Sequence, residues 1–282
     1  MTARRAPLLW LAPALLLVVL LVYLADAAGA IYAFTDSSGG AGTKYIGLRN
    51  FRDIFHDPVS RSALSHTVVL AAGFVVLSNV IGLGLALALR RTLKTRNFLR
   101  SAFFLPVVMS PLAVSYIWQY LFGYDGAINS ALGGHRNWLG SPSYALWSIL
   151  AVMVWQFAGL AMIFYLAGLQ GIPEELEEAS AVDGASATYR FRRIILPLLA
   201  PAVTVSLTFT LVFGLRVFDT VIGLTGGGPA DSTETLATQV YKQTWVDGRF
   251  GYGAALSLLL SVLVAVVAVI QLVVLRRREE RI

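Results

Sequence analysis

The densest run of acidic side chains is Glu174-Glu175-Leu176-Glu177-Glu178-Ala179-Ser180-Ala181-Val182-Asp183-Gly184, preceded by Pro173. Proline suits the first position of a helix, where its missing N–H costs nothing. Glu174 and Glu175 then fall in the first turn, where the helix dipole favours negative charge. Leu176, Ala179, Ser180 and Asp183 follow i, i+3, i+4, i+7 spacing and share one face, and Gly184 lets the backbone end the helix or approach another surface closely. Two readings stay open on these residues. Solvated acids and the following Tyr189-Arg190-Phe191-Arg192-Arg193 describe a helix lying at lipid headgroups. Small residues beside acids describe instead a surface that fits a socket in a protein partner, since lipid would favour large apolar groups.

Other chemistry is sparse. No G-x-x-x-x-G-K-[ST] occurs, so the chain carries no P-loop for a nucleotide. There is no H-E-x-x-H and no G-x-S-x-G, cysteine is absent, and His56, His66 and His135 are scattered. Neither catalysis nor a metal site is expected of this chain, and any uphill work it does must draw on energy supplied elsewhere.

The elements that position these residues follow from composition. The 282 residues are 57% apolar and 13% charged, with a mean hydropathy of +0.70. An ordinary soluble domain carries roughly 25% charged residues, so lipid is the better solvent for this surface. The net charge of +6 does not point to nucleic acid, because the basic residues sit beside apolar runs instead of forming one continuous face. Six apolar segments, about 8–25, 67–89, 101–123, 144–169, 194–218 and 251–275, are long enough to cross about 30 Å of hydrocarbon. In a bilayer they must be helices, so the fold class is an all-α membrane protein of six transmembrane helices, organised as one polytopic domain over 1–282. Pro13, Pro106, Pro111 and Pro201 are each expected to kink or locally open a span.

Charge sets the orientation. Arg4 and Arg5, then Arg90, Arg91, Lys94, Arg96 and Arg100, then Arg190, Arg192 and Arg193, then the arginine-rich tail all fall on one side, which places both termini in the cytoplasm. The first segment has a competing reading as a cleavable signal, with Arg4-Arg5, an apolar run and Ala28-Gly29-Ala30; its length and the five spans that follow favour a retained helix. The outer stretches 26–66 and 219–250 have room for short interfacial helices.

Polar residues within spans are costly and tend to face the bundle interior or a water-filled path. Asn79, Gln119 and Gln156 are such residues, and Tyr116 and Trp155 are aromatic neighbours able to stack on a sugar ring. For each, bonding between helices or an interfacial belt is the competing role. Arg216 and Asp219, three apart, are expected to pair on one helical face, as a structural contact or a gate.

Glu178-Ala179-Ser180, Gly184, Ile194, Leu196 and Pro197 reproduce the spacing of the E-A-A, three residues, G, nine residues, I-x-L-P loop of importer permeases of the ATP-binding cassette type, which this chain therefore resembles, with Ser180 in place of the third alanine. Further along, Phe218-Asp219, Leu224-Thr225-Gly226-Gly227-Gly228-Pro229, Thr233-Glu234-Thr235-Leu236 and Phe250-Gly251-Tyr252-Gly253-Ala254-Ala255 look like the GGGP-bearing carbohydrate permeases of the maltose and glycerol-3-phosphate type, in a compact form.

The resemblance implies a type I importer permease fold and a cytoplasmic coupling loop at 170–197, with Glu178, Ala179, Ser180, Asp183 and Gly184 seated against an ATPase subunit. It also implies a second homologous permease, two cytoplasmic ATPases that use ATP and magnesium, and an extracytoplasmic solute-binding protein; no cofactor is expected on this chain. Gly226, Gly227, Gly228 and Pro229 are either a plain connection or an outer gate or docking point. The cargo implied is a sugar or polyol, with glycerol phosphate or a polyamine as rivals and a membrane-embedded enzyme as the rival from another class.

Overall fold

The computed structural model describes residues 12–40, 42–90 and 94–279. In chain order the helices are α1 (Pro13–Tyr32), α2 (Arg49–His56), α3 (Pro58–Arg90), α4 (Arg96–Val108), α5 (Pro111–Leu121), α6 (Ala127–Leu132) and α7 (Pro142–Gln170). There follow α8 (Glu174–Val182), α9 (Ala187–Leu198), α10 (Ala200–Leu215), α11 (Asp219–Leu224), α12 (Leu236–Tyr241) and α13 (Phe250–Glu279). Among the described residues there is no strand, only one isolated antiparallel bridge between Thr35 and Tyr45. Arg4, Arg5, Arg91, Arg281 and the start of the expected first span lie outside the described residues.

Helices α1, α3, α7 and α13 are each long and apolar enough to cross a bilayer, and the pairs α4–α5 and α9–α10 bring the candidates to six if each pair is one span. These two pairs fall where the expected spans carry prolines that kink or open them, and they are bent by 101° and 70°. The first break has a local cause. A residue before proline is pushed out of the helical region, and Ser110 accordingly adopts φ −58°, ψ 134° while Pro111 opens α5. Pro201 likewise lies in the first turn of α10. Pro106, in contrast, is carried inside α4.

The described chain forms two compact units, 1–60 with 239–259 and 61–238 with 260–282. In the larger unit α7 is the most enclosed helix, with 72% of its apolar window buried; a helix apolar all round belongs in the interior. Leu70, Phe74, Ile149, Met153, Phe157 and Val221 make one core cluster, in which Phe74 meets Phe157 edge-on at 5.8 Å. Met162, Tyr165, Leu166, Leu169, Ile195 and Leu199 belong to a second cluster. Close approach replaces hydrophobic drive between helices in lipid. Gly159 shows it: a Cβ there would lie 1.9 Å from the carbonyl oxygen of Phe103, so α7 meets α4 with no room for a side chain.

In the smaller unit Asn50, on α2, donates to the carbonyls of Ala33 and Thr35 at 2.8 Å each, which fixes the turn that follows α1. Asp57 caps α3 by accepting from Val59 N (3.3 Å), Ser60 N (3.0 Å) and Ser60 Oγ (2.7 Å), with Pro58 at the first helical position. Burial works against ionisation of this carboxyl, but the hydrogen bonds from the Ser60 hydroxyl and the Ser60 and Val59 amides outweigh it and hold its pKa below the usual carboxylate value.

Candidate functional site

The acidic stretch is a helix, α8, with Glu174, Glu175 and Glu177 in its first turn. Pro173 stands one position earlier than expected, as the N-cap at φ −58°, ψ 131°. At the other end Ala185 N bonds Ser180 O (3.0 Å) and Gly184 N bonds Ala181 O (3.1 Å), the paired closure that requires a left-handed residue between them. Gly184 supplies it at φ +79°, and a Cβ there would touch nothing within 4 Å. Its glycine therefore serves the backbone turn and no close approach within this chain.

No residue of α8 is buried. Glu178, Ala179, Ala181 and Asp183 are exposed, and so are Leu176 at 46% and Val182 at 88%. Ser180 turns its hydroxyl back onto the Glu177 carbonyl at 2.8 Å. Among the described residues, the side-chain ion pair made by α8 joins Glu177, not Glu178, to Arg90 at the end of α3. Sequence reasoning had placed Arg90 only as a positive charge marking orientation; no local signal reveals a pair separated by most of the larger unit.

The GGGP region is built the opposite way. Gly226 and Gly227 take φ +61° and +91°, and Gly228 and Pro229 continue into a turn in which Ser232 N bonds Pro229 O at 3.0 Å. Thr233 sends its N–H to Gly227 O (3.1 Å) and its hydroxyl to Gly228 O (2.7 Å). Thr235 Oγ1 donates to Val217 O (3.1 Å), Leu236 N to Thr67 Oγ1 (2.9 Å), and Thr238 Oγ1 to Glu234 Oε2. Thr233, Glu234, Thr235, Leu236 and Thr238 are all at most 2% exposed. A Cβ on Gly227 would lie 2.4 Å from Glu234 Oε1. The loop is thus a hydrogen-bonded turn with Gly227 buried and Gly226 exposed.

The polar residues of the spans bond to neighbouring helices. Asn79 donates through Nδ2 to Val75 O (2.7 Å) and Thr210 Oγ1 (2.9 Å), and its Oδ1 accepts from Tyr165 (2.8 Å) and Ser206 (2.6 Å). Two donor hydrogens and two lone pairs are all that an amide side chain has, so Asn79 ties α3, α7 and α10 together and keeps nothing for a solute. Gln156 is fully buried, and its Nε2 bonds Pro106 O (3.3 Å) and Met109 O (3.0 Å) beside the break before Pro111; Pro106 O also accepts from Met109 N at 3.3 Å. Gln119 Nε2 holds Gly223 O (2.7 Å) and Leu224 O (3.2 Å) at the end of α11. Tyr116 and Trp155 keep exposed rings, and Trp155 packs edge-on against Trp118 at 5.3 Å.

None of these five lines the cavity beside Pro111. That cavity, of about 380 Å³, lies between Pro111 and the α10–α11 corner, lined by Thr208, Phe209, Phe213, Arg216 and Asp219 among others. Thr208 Oγ1 is buried there without a hydrogen-bond partner. The expected Arg216–Asp219 pair is not formed, because α10 ends at Leu215 and Arg216 adopts φ −102°, ψ 15°; the helical i, i+3 geometry is gone, and both side chains are exposed.

Four long apolar helices and two bent helix pairs, with a short exposed helix ahead of the second pair, are the elements of a multi-pass membrane fold. Residues 78–280 match the family described as binding-protein-dependent transport system inner membrane component, and the chain belongs to that family. It is 34% identical over 274 residues to a probable starch degradation products transport system permease protein of Thermoanaerobacterium thermosulfurigenes, covering 96% of this chain and 94% of the relative. It is 35% identical over 263 residues to a multiple sugar-binding transport system permease protein of Streptococcus mutans, covering 92% and 91%. A crystal structure of a bacterial ABC transporter involved in the import of the acidic polysaccharide alginate contains a chain that superposes with a TM-score of 0.83 at 22% identity, covering 95% of this chain and 94% of that one. The fold is accordingly that of a type I importer permease, and the chain is a multi-pass inner-membrane protein.

Proposed function

We propose that this chain is the permease subunit through which a sugar or related polyol crosses the membrane in an ATP-binding cassette importer. The carrying observation is α8, which buries none of its residues and yet has its shape fixed by its own Gly184 turn. A rigid acidic, small-residue surface held open in this way suits an external partner, here a cytoplasmic ATPase that uses ATP and magnesium. Glu178, Ala179, Ser180, Asp183 and Gly184 form the docking surface in this reading. With Arg90, Lys94, Arg96, Arg100, Arg190, Arg192 and Arg193 on that same side, both termini face the cytoplasm and a solute-binding protein delivers cargo from the other side. A second permease of the same fold completes the membrane unit.

The sugar assignment rests on the names of the relatives and on the cavity beside Pro111. One cation, Arg216, and one anion, Asp219, line it with Phe209 and Phe213. Matched donor and acceptor groups with aromatic faces favour a neutral polyhydroxylated solute over a phosphate or a polyamine, which would each meet a like charge. Tyr116 and Trp155 extend the path, while Asn79, Gln119 and Gln156 brace it.

Two measurements test the proposal. Glu178→Arg and Gly184→Val are expected to abolish co-purification with the ATPase and uptake together, and uptake unchanged in an intact complex removes the coupling role. The cognate binding protein is titrated with maltose, trehalose, xylose, sn-glycerol 3-phosphate and spermidine; tightest binding of one of the last two overturns the neutral-sugar reading.

A further inference from the structure

We infer that the Arg90–Glu177 ion pair is a positioning contact that locks α8 to the end of α3, so that a load applied to α8 moves α3 with it. This rests on the reading of α8 as the docking helix.

A nine-residue helix with no buried residue has little to hold it in place. Its backbone is anchored before it by buried Ile172 and after it by the Ser186 cap, whose Oγ accepts from Tyr189 N at 3.3 Å. Neither anchor grips the helix itself. Arg90 and Glu177 do, and their side chains are only 26% and 24% exposed, so water screens the pair less than it screens a surface contact. The neighbouring groups leave the pair intact. Ser180 bonds the Glu177 carbonyl and not its carboxylate, while Arg100 occupies the Leu89 carbonyl at 3.3 Å, at the last turn of α3. Arg96, Arg100 and Glu174 line the adjoining cleft with Arg90.

What lies behind Arg90 gives the lock its consequence. Helix α3 is unbroken from Pro58 to Arg90, and Asn79 stands about 16 Å back along it at 1.5 Å per residue. There the saturated amide binds Tyr165 of α7 and Ser206 and Thr210 of α10. A displacement of α8 therefore reaches three transmembrane helices through one ion pair and one amide.

The test uses the complete importer in proteoliposomes with its ATPase and binding protein, following whichever of maltose, trehalose, xylose and sn-glycerol 3-phosphate the wild type takes up fastest. Arg90→Glu and Glu177→Arg alone are expected to lower solute moved per ATP by about tenfold, an ordinary coupling factor, with ATPase association and basal hydrolysis retained. The double reversal restores most of the coupling. The chain has no cysteine, so spin labels at exposed Val80 and Val182 report the α3–α8 distance directly, with ATP and vanadate as the only ligands. One distance is expected in the wild type before and after trapping, and a second in either single reversal. Normal stoichiometry in the single reversals, or a wild-type distance that changes on trapping, overturns the inference. That second result needs no variant to fold. If Gly184→Val also transports normally, the docking reading itself falls; if Gly184→Val fails and the reversals do not, only the ion-pair inference falls.

Discussion

Two stretches marked by glycine, 174–184 and 225–238, reach rigidity by opposite routes. In the first, Gly184 closes a helix whose side chains remain exposed, and a Cβ would meet no neighbour. In the second, Gly227 sits against Glu234 in a turn whose threonines spend their hydroxyls inside the loop. Both carry left-handed glycines. Rigidity that leaves side chains uncommitted makes a surface for another molecule, whereas rigidity that consumes them makes a scaffold. The contrast supports the proposal that α8 docks a partner while the GGGP turn holds its own neighbourhood in shape.

The largest expected effect tests the scaffold. Gly227→Ala combines the left-handed backbone penalty, about 1–2 kcal/mol, with the overpacking cost of a Cβ against Glu234, about 1–3 kcal/mol. Loss of Tm and of monodisperse protein in detergent should follow before any effect on ATPase association. A Gly227→Ala protein with wild-type Tm and lost docking would reverse the assignment of the two glycines.

Gly184→Val should separate the two properties the other way. Its intrinsic cost is about 1–2 kcal/mol from the backbone alone, because no neighbour is struck, so Tm falls modestly. ATPase binding, measured by co-purification and by titration of the isolated ATPase, should weaken by at least about tenfold, or ~1.4 kcal/mol.

Asn79→Leu probes whether a residue inside a span behaves as scaffold or as path. Removing the amide strands the hydroxyls of Tyr165 and Ser206, which costs about 1–2 kcal/mol in a membrane bundle. The KM for solute should hold while Tm drops. A KM that rises with Tm unchanged would return Asn79 to the solute path.

Much of this fold was legible from hydropathy, because lipid leaves helices few alternatives. The segments 67–89, 144–169 and 251–275 lie inside α3, α7 and α13. Hydropathy could not see the start of α3, which the polar cap Asp57-Pro58 sets well before its apolar run. Nor could it see how far the chain would turn at Pro111 and Pro201, since proline reports a weak point and the packed neighbours decide the angle. Gly184 was readable because a helix terminus is a local backbone event. The Arg90–Glu177 pair and the saturation of Asn79 were not, because each is settled by residues brought together from separate helices. The cavity beside Arg216 was missed for a related reason: α10 ends at Leu215, before either member of the expected Arg216–Asp219 pair.

The smallest effect contrasts two acids. Asp57 faces its own helix and Glu178 faces outward, and for Asp57 protonation should couple to stability. Its folded pKa is depressed; a depressed carboxyl contributes stability that is fully present above the unfolded value, about 3.9, and is lost as pH falls through the folded one. Thermal unfolding should therefore show no Asp57 contribution to pH dependence from neutrality down to about pH 5, and below about pH 4 a decline that Asp57→Asn reduces. At neutral pH Asp57→Ala should cost about 1 kcal/mol, the ordinary worth of a cap, whereas Glu178→Ala should leave Tm unchanged while weakening ATPase binding. Equal losses of Tm in the two alanine variants would mean that α8 is held by its acids after all, and the division between docking surface and scaffold would have to be redrawn around Glu178.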